Sequence, residues 1–338
     1  MKIGFFLGQS AIISGNSNGV KNQAREWSKG LVSQGHTVDE LNVWGNYDWK
    51  TYDVLHIFGT GIWLHAFIIV LSKKNKNIVI SPIIDSIQSP FMYKLSTFVG
   101  FEKLRLYSPT YALKKSLPYI KGVFVRSDYE SLFFSKSMNL KSSKIFKVPL
   151  SFDDEICKEY NHNLKKENFC LHISSIYQER KNVIRLIKAA KKYKFKLVLA
   201  GAKGSEEQFR PLLNEIGDCK NIKVLGFITE EEMIDLYKKA KVFALPSISE
   251  GVGIVALNAA YYGCEVVLTN VGGPKEYFHP FAELVNPYSV RDIGVAVNKL
   301  LIKNQDKKLH NHILCNFKEN VISKKIIKSY FKILKEYK

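Results

Sequence analysis

Short apolar runs alternate with apolar positions at helical spacing along almost the whole chain. Residues 2–7 read as a strand. Val20, Ala24, Trp27 and Leu31 then recur on one helical face, and Gly35 closes that helix. Further strands are predicted over 36–41, 54–58, 77–84, 122–126 and 145–149, with helices over about 62–72 and 129–137. Residues 90–121 are aromatic and basic and read as helical. A polar, charged stretch at 151–168 interrupts the pattern, which then restarts. Strands are predicted over 169–173, 196–200, 222–225, 242–245, 265–268 and 282–285. Helices stand between them, one opened by Thr229 with Glu232 three residues on, the signature of a capping box. Helices fill the chain from 290, and the last, about 321–337, sets Ile322, Ile326, Tyr330, Ile333 and Tyr337 along one stripe.

Strands alternating with helices predict parallel sheets covered on both faces. Two runs of the pattern predict two doubly wound, Rossmann-like α/β domains at 1–152 and 165–320, followed by a closing helix at 321–338. A length of 338 residues agrees, since one core rarely covers so long a chain. The apolar start is broken by Gly8 and Gln9, which favours a buried first strand over a signal peptide. The longest apolar run, 62–71, contains His65 and is too short to span a bilayer. Five cysteines form neither a C-x-x-C pair nor a metal spacing, and read as buried thiols of a reducing, cytoplasmic compartment.

Charge changes the picture. The net charge is +19, and it is unevenly placed. Residues 73–147 carry 14 basic and 4 acidic groups, and residues 303–338 carry 10 and 3. A solvated lysine-rich surface and a face for an anionic membrane both fit this distribution. Nucleic acid rests on charge alone, with no reading motif, and is not expected as a partner.

The stretch 242–276 holds the candidate chemistry. A strand leads to Glu250-Gly251-Val252-Gly253, a helix from Ile254, a second strand, and the turn Gly272-Gly273-Pro274-Lys275-Glu276. Glycines at 251 and 253 let a backbone approach a ligand closely, and the helix start behind them suits phosphate. A carboxylate beside a phosphate cradle points to a ligand with both hydroxyls and phosphates, such as a nucleotide sugar. After the strand at 169–173, Ser175, Arg180 and Lys181 precede a helix, and the two cations suit a leaving diphosphate. No D-x-D occurs, so nothing in the sequence demands a metal. Gly251 to Ala256 also matches G-x-G-x-x-A, a dinucleotide fingerprint, but Pro246 to Glu250 separate it from its strand.

The second half resembles the retaining, metal-independent glycosyltransferases of the GT-B architecture, family 4. Their donor motif is E-G-F-G-x-x-x-x-E. Here Glu250-Gly251-Val252-Gly253 stands, with Asn258 in place of the second glutamate. Tyr262-Gly263-Cys264-Glu265-Val266-Val267, Gly272-Gly273-Pro274-Lys275-Glu276 and Lys181-Asn182 resemble further family motifs. In the first half, Gly19-Val20, Gly35-His36-Thr37-Val38 and Asp53-Val54-Leu55-His56 resemble the family more loosely.

The resemblance implies two domains facing across a cleft, with the last helix returning to the first. It implies that Glu250 contacts the donor sugar hydroxyls. The amides of Gly251, Val252, Gly253 and Ile254, with Gly272 and Gly273, would meet the donor, and Lys181 would neutralise its diphosphate. Asn258 would reach the ribose without bringing a charge. Ser175 stands where the family has an arginine, and Arg180 would compensate. Asn18, Gly19 and Asp85 are the acceptor-side candidates. The implied activity is transfer of a sugar from a nucleoside diphosphate to a glycan or lipid-linked acceptor, in bacterial surface polysaccharide, lipopolysaccharide or glycolipid synthesis. No cofactor beyond the donor is implied. A sugar-nucleotide epimerase of the same architecture, and a non-catalytic partner subunit that binds nucleotide sugars, remain alternatives.

Overall fold

The structure, a computed structural model, describes residues 1–8, 19–42, 44–84, 90–101, 104, 106–152 and 165–335. The chain divides into two units, Met1–Leu150 with Glu319–Lys338, and Ser151–Lys318.

The first unit begins with β1 (Lys2–Leu7), α1 (Gly19–Ser33), β2 (Thr37–Leu41), β3 (Val54–Phe58), α2 (Leu64–Ser72) and β4 (Ile78–Ser81). It continues with α3 (Pro90–Ser96), β5 (Gly100–Phe101), β6 (Leu106–Tyr107), α4 (Pro109–Ser116), β7 (Gly122–Val125), α5 (Asp128–Met138) and β8 (Ile145–Lys147). Six strands form a parallel sheet in the order β2-β1-β3-β4-β7-β8. β3, β4 and β7 are buried at every position. That is why they read as continuous apolar runs rather than alternating ones.

Two expectations change here. The strand expected over 77–84 spans only Ile78–Ser81. Residues 90–121 are not helical throughout, because β5 and β6 pair as an antiparallel hairpin between two helices. Gly100 marks the break: a Cβ there would meet the Tyr111 ring. Ser108 then opens α4 by accepting a hydrogen bond from the Tyr111 amide at 3.1 Å, with Pro109 in the first turn.

The second unit runs β9 (Glu167–Ile173), α6 (Val183–Tyr193), β10 (Leu197–Ala200), α7 (Glu206–Ile216), β11 (Ile222–Gly226), α8 (Glu230–Lys239) and β12 (Ala240–Leu245). Then come α9 (Ile254–Tyr261), β13 (Glu265–Thr269), α10 (Pro274–Phe278), β14 (Glu283–Val285), α11 (Val290–Ile302) and α12 (Lys308–Asn316). Its sheet is parallel in the order β11-β10-β9-β12-β13-β14. The capping box at Thr229 and Glu232 is present, and Ser205 with Gln208 forms a second one at α7. α6 turns Val183, Leu186, Ile187 and Ala190 into a core shared with Val242, Ala244 and Val267 of the sheet and Ile293 and Val297 of α11.

Lys166 lies in the polar, charged stretch 151–168, yet it is 8% exposed. Its Nζ donates to the carbonyls of Tyr237 at 2.7 Å and Tyr262 at 2.5 Å. The Tyr237 carbonyl belongs to the last turn of α8 and the Tyr262 carbonyl to the residue that caps α9, positions where a cation is favoured. Burial lowers the Lys166 pKa, and the nearby Cys264 thiol acts against that shift. The cysteines are less uniform than expected. Cys170 and Cys264 are buried, Cys219 is half-buried, Cys315 is exposed, and Cys157 lies outside the described residues.

The final helix, α13 (Glu319–Lys335), belongs to the first unit and packs on α1. Gly30 of α1 permits the contact, since a Cβ there would press on Glu319 and Ser323. Ile322, Ile326, Tyr330 and Ile333 form its buried face. His56, the polar residue inside the otherwise apolar β3, holds this helix. Its Nδ1 lies 2.6 Å from the Tyr330 hydroxyl and its Nε2 lies 2.8 Å from the Ser81 hydroxyl. Both partners can donate or accept, so either neutral tautomer is satisfied. Tyr330→Phe is expected to cost about 1–3 kcal/mol, because it leaves a buried ring nitrogen without a partner. All four tryptophans lie in the first unit, so urea unfolding followed by their fluorescence reads this change directly. An unchanged midpoint would refute the role.

Candidate functional site

In the second unit the chain order of the six strands across the sheet is 3-2-1-4-5-6. Its direction reverses between β9 and β12. In doubly wound sheets, ligands bind beyond the carboxyl ends of the strands at such a switch point. The loops leaving β9 and β12 carry Lys181 and Glu250.

The two side chains meet. Lys181 Nζ lies 2.7 Å from Glu250 Oε2, with the side chains 12% and 9% exposed. Ser247, fully buried, donates its hydroxyl to the same oxygen at 3.0 Å. The Arg180 guanidinium stands 4.0 Å from Glu250 Oε1 and is far more exposed. Glu250 is thus held by two cations and a hydroxyl at the mouth of the switch point. Among the described residues no three of His, Cys, Asp and Glu cluster as metal ligands.

Local structure explains the convergence. Glu179–Lys181 form one turn of 3₁₀ helix, and Asn182 then adopts a left-handed conformation with φ of 60° at the start of α6. Asn182 is buried. Its amide donates to the carbonyls of Pro246 at 2.8 Å and Pro287 at 2.6 Å, while its oxygen accepts from Arg185 at 2.8 Å. It therefore ties the loop after β9 to the loops after β12 and β14. The Ile248 amide donates to the Arg180 carbonyl at 2.8 Å and fastens the first two loops again. The sequence marks Asn182 only as part of a Lys-Asn pair, and its binding role depends on carbonyls distant in the chain.

The glycines divide by role. Gly253 has φ of +83° and opens α9, so the backbone turns in a conformation that favours glycine directly beside Glu250. The first amides of a helix have no acceptor within it, which makes this turn suited to phosphate oxygens. Gly251 is not among the positive-φ positions, so the left-handed turn belongs to Gly253. Gly272 has φ of +97° and pairs with Glu250 in an isolated parallel bridge. The Gly273 amide donates to the Glu250 carbonyl at 3.2 Å. The turn after β13 thus supports the backbone of the residue whose carboxylate Lys181 grips.

Ser175 is half-buried in the loop after β9, and its carbonyl accepts from the Gln178 amide at 3.0 Å. Val252 is buried, and Ile254 is half-buried in the first turn of α9. Asn258 lies one turn further on, 3% exposed. Gly19 opens α1 at the first unit. Asn18 and Asp85 lie outside the described residues.

His172, on β9 beneath the site, carries no signal in the sequence beyond being a polar residue inside an apolar strand. Its Nδ1 lies 2.7 Å from the Ala244 carbonyl and its Nε2 lies 2.7 Å from the Ser174 hydroxyl. A carbonyl only accepts, so Nδ1 carries the proton and Ser174 donates to Nε2. Burial pulls the His172 pKa down to about 4, with the nearby Lys181 charge acting in the same direction. The neutral ring is favoured in the folded protein. This contribution is complete above the unfolded value of about 6.5 and is lost as pH falls from there towards the folded value. Acidification from about pH 7 to about pH 5 is expected to cost the second unit roughly 2 kcal/mol through His172. Urea unfolding followed by far-ultraviolet circular dichroism checks this, with His172→Asn expected to flatten the dependence.

The fold and site define a class: a protein of two parallel-sheet α/β units with the architecture of GT-B glycosyltransferases. Residues 154–315, nearly all of the second unit, match the family model described as glycosyl transferases group 1. An uncharacterized glycosyltransferase of Methanocaldococcus jannaschii is 26% identical over 302 residues, covering 81% of this chain and 71% of that one. The O-antigen chain mannosyltransferase B of Escherichia coli is 24% identical over 202 residues, covering 55% of this chain and 53% of that one. Among solved structures, sucrose-phosphate synthase from Thermosynechococcus elongatus superposes with a TM-score of 0.76 at 16% identity, covering 99% of this chain and all of that one. Anabaena HepE, solved in complex with UDP and glucose, gives 0.70 at 17% identity and covers 97% and 99%.

Proposed function

We propose that this chain transfers a sugar from a nucleoside diphosphate sugar to a hydroxyl acceptor, with retention and without a metal ion. The observation that carries the reading is the Lys181–Glu250 pair beside the Gly253 turn at the switch point of the second sheet. A donor seated there would set its diphosphate against the α9 amides and its sugar hydroxyls against Glu250. When the bond from the anomeric carbon to the diphosphate oxygen breaks, its electron pair leaves with the diphosphate, the acceptor oxygen forms the new bond to that carbon, and the acceptor proton passes to the departing diphosphate. Lys181, Arg180 and the positive end of α9 would neutralise that developing charge, as a metal ion does in other enzymes.

The group 1 match and the relative among O-antigen mannosyltransferases support a role in bacterial surface polysaccharide or glycolipid synthesis. The basic segments 73–147 and 303–338 support an acceptor carried on a lipid at an anionic membrane face of the cytoplasm. Asn258, in place of a glutamate, weakens the charge at the proposed ribose position and is the residue that would alter donor choice.

A thermal-shift screen with UDP, GDP, ADP and their sugars tests the donor site. Binding to the folded state alone must raise its stability, by about 2.7 kcal/mol at a hundredfold excess over the dissociation constant. One nucleotide is expected to raise the melting temperature by several degrees. Stabilisation by none would sink the reading. Product analysis separates the alternatives, since an epimerase converts the donor without acceptor and a binding subunit converts nothing.

A further inference from the structure

The first unit carries an apolar surface that its own fold does not use. α3 has two faces. Tyr93 and Thr97, one turn apart, are buried, and the Tyr93 ring meets Phe133 of α5 edge-on at 4.4 Å between centroids. Phe91, Leu95 and Phe98 recur at helical spacing on the other side and are exposed, Phe91 by 68% and Phe98 by 64%. Met92 and Val99 flank them, also exposed. The hairpin that follows extends the surface with Phe101 and Leu106, a cross-strand pair with both side chains exposed.

This surface is held in place. Ser108 and Thr110 donate their hydroxyls to the Ser96 carbonyl at 3.1 and 3.0 Å, and the Ser108 amide donates to the Val99 carbonyl at 3.2 Å. The hairpin is thereby fastened to the end of α3. Lys114 Nζ donates to the Thr97 hydroxyl at 3.2 Å and lies 4.2 Å from the centre of the Phe98 ring. A cation therefore sits at the border of the apolar face. Soluble monomers rarely expose contiguous apolar patches of this kind.

The charge around the patch selects its occupant. Residues 90–121 carry 6 basic groups and 1 acidic group. The first unit as a whole holds 25 basic and 11 acidic residues, a net +14 of the +19. A second copy of this chain would bring the same positive field and repel. No helix among the described residues is long and apolar enough to cross a membrane. Apolar side chains bordered by lysines are the composition of a segment that lies in a bilayer interface, with its rings among the acyl chains and its cations at anionic headgroups.

We propose that α3, the turn at residues 97–98 and the strands β5 and β6 dock the first unit on the surface of a bilayer containing anionic lipid, with Phe91, Leu95 and Phe98 inserting. The docking stands on this surface alone. Its connection to a lipid-linked acceptor rests on the transferase reading, and the test keeps the two apart because it uses no nucleotide.

The full chain is sedimented with vesicles of equal parts phosphatidylcholine and phosphatidylglycerol, and with phosphatidylcholine alone. Binding is expected to the mixed vesicles, and part of it is expected to survive high salt, since insertion is not screened. The triple substitution Phe91→Ser, Leu95→Ser, Phe98→Ser leaves the net charge unchanged and alters exposed positions only. It is expected to weaken vesicle binding by at least about tenfold. Ile302→Ser, which removes an exposed side chain from the second unit, is expected to bind as the wild type does. Melting temperature and the nucleotide-induced shift, measured on the same samples, show that the triple variant is folded. Absence of wild-type binding to mixed vesicles at low salt would overturn the proposal. So would a triple variant that binds undiminished, or one that converts a dimer of this chain to monomer in analytical ultracentrifugation.

Discussion

Lys181→Ala is expected to lower sugar transfer by about a hundred- to a thousandfold, the loss that follows removal of one preorganised group facing developing charge. The fold should survive the change. Glu250 keeps the Ser247 hydroxyl at 3.0 Å and the Arg180 guanidinium at 4.0 Å, so its carboxylate is not left alone. The loss should fall on kcat more than on KM, because in the proposed role the diphosphate charge facing Lys181 would grow as the bond from the anomeric carbon to the diphosphate breaks. Glu250→Gln tests the other half of the pair. It keeps the shape, removes the charge, and should weaken binding of the nucleotide sugar more than binding of the free nucleotide. Steady-state kinetics with the donor chosen by the thermal-shift screen measures both. Full transfer activity in Lys181→Ala would show that the pair only shapes the loops.

Gly272→Ala is expected to be the most damaging single methyl in the site. A Cβ at Gly272 would overlap the Glu250 carbonyl oxygen, and the residue also stands at φ of +97°. The backbone of the bridge would have to open, and relief by rotating a side chain is unavailable because the obstruction is main chain. A cost of about 2–4 kcal/mol combines the strained φ with the lost bridge. Because the Gly273 amide holds the Glu250 carbonyl, nucleotide binding should fall together with stability. Lys275→Ala, an exposed neighbour, serves as the comparison and should leave both unchanged. Wild-type stability in Gly272→Ala would show that the turn has a lower-energy alternative.

Much of the architecture was readable because local physics specifies it. α9 begins at Ile254 because the glycine before it turns the chain, and α8 begins at Glu230 because Thr229 and Glu232 satisfy its first amides. The central strands, such as β4, β7 and β12, read as apolar runs, the mark of burial on two faces, whereas the edge strand β2 carries Asp39 and Glu40. Where local signals conflicted, the reading failed. Residues 90–121 have helical apolar spacing, yet Gly100 cannot carry a side chain against Tyr111, and a hairpin forms instead. Lys166 gave no signal of burial in its polar stretch, because its role depends on carbonyls 71 and 96 residues away. The lysines of 303–338 looked like one tail, but the units divide them. Lys303 pairs with Glu265 and Asp306 in the second unit, while the α13 lysines belong to the first.

By itself, the sequence determined the kinds of element, most of their extents, the glycine turn beside Glu250 and the excess of positive charge. These follow from periodicity, capping and backbone sterics, which act over a few residues. Only the tertiary structure decided that β9 lies beside β12. A buried parallel strand has the same apolar composition at any central position, so strand order has no local code. That order brings Lys181 to Glu250 across 69 residues, lets Asn182 tie three loops together, and seats His172 beneath them. It also decided that Phe91, Leu95 and Phe98 face outward, because packing buries Tyr93 and Thr97 on the opposite side.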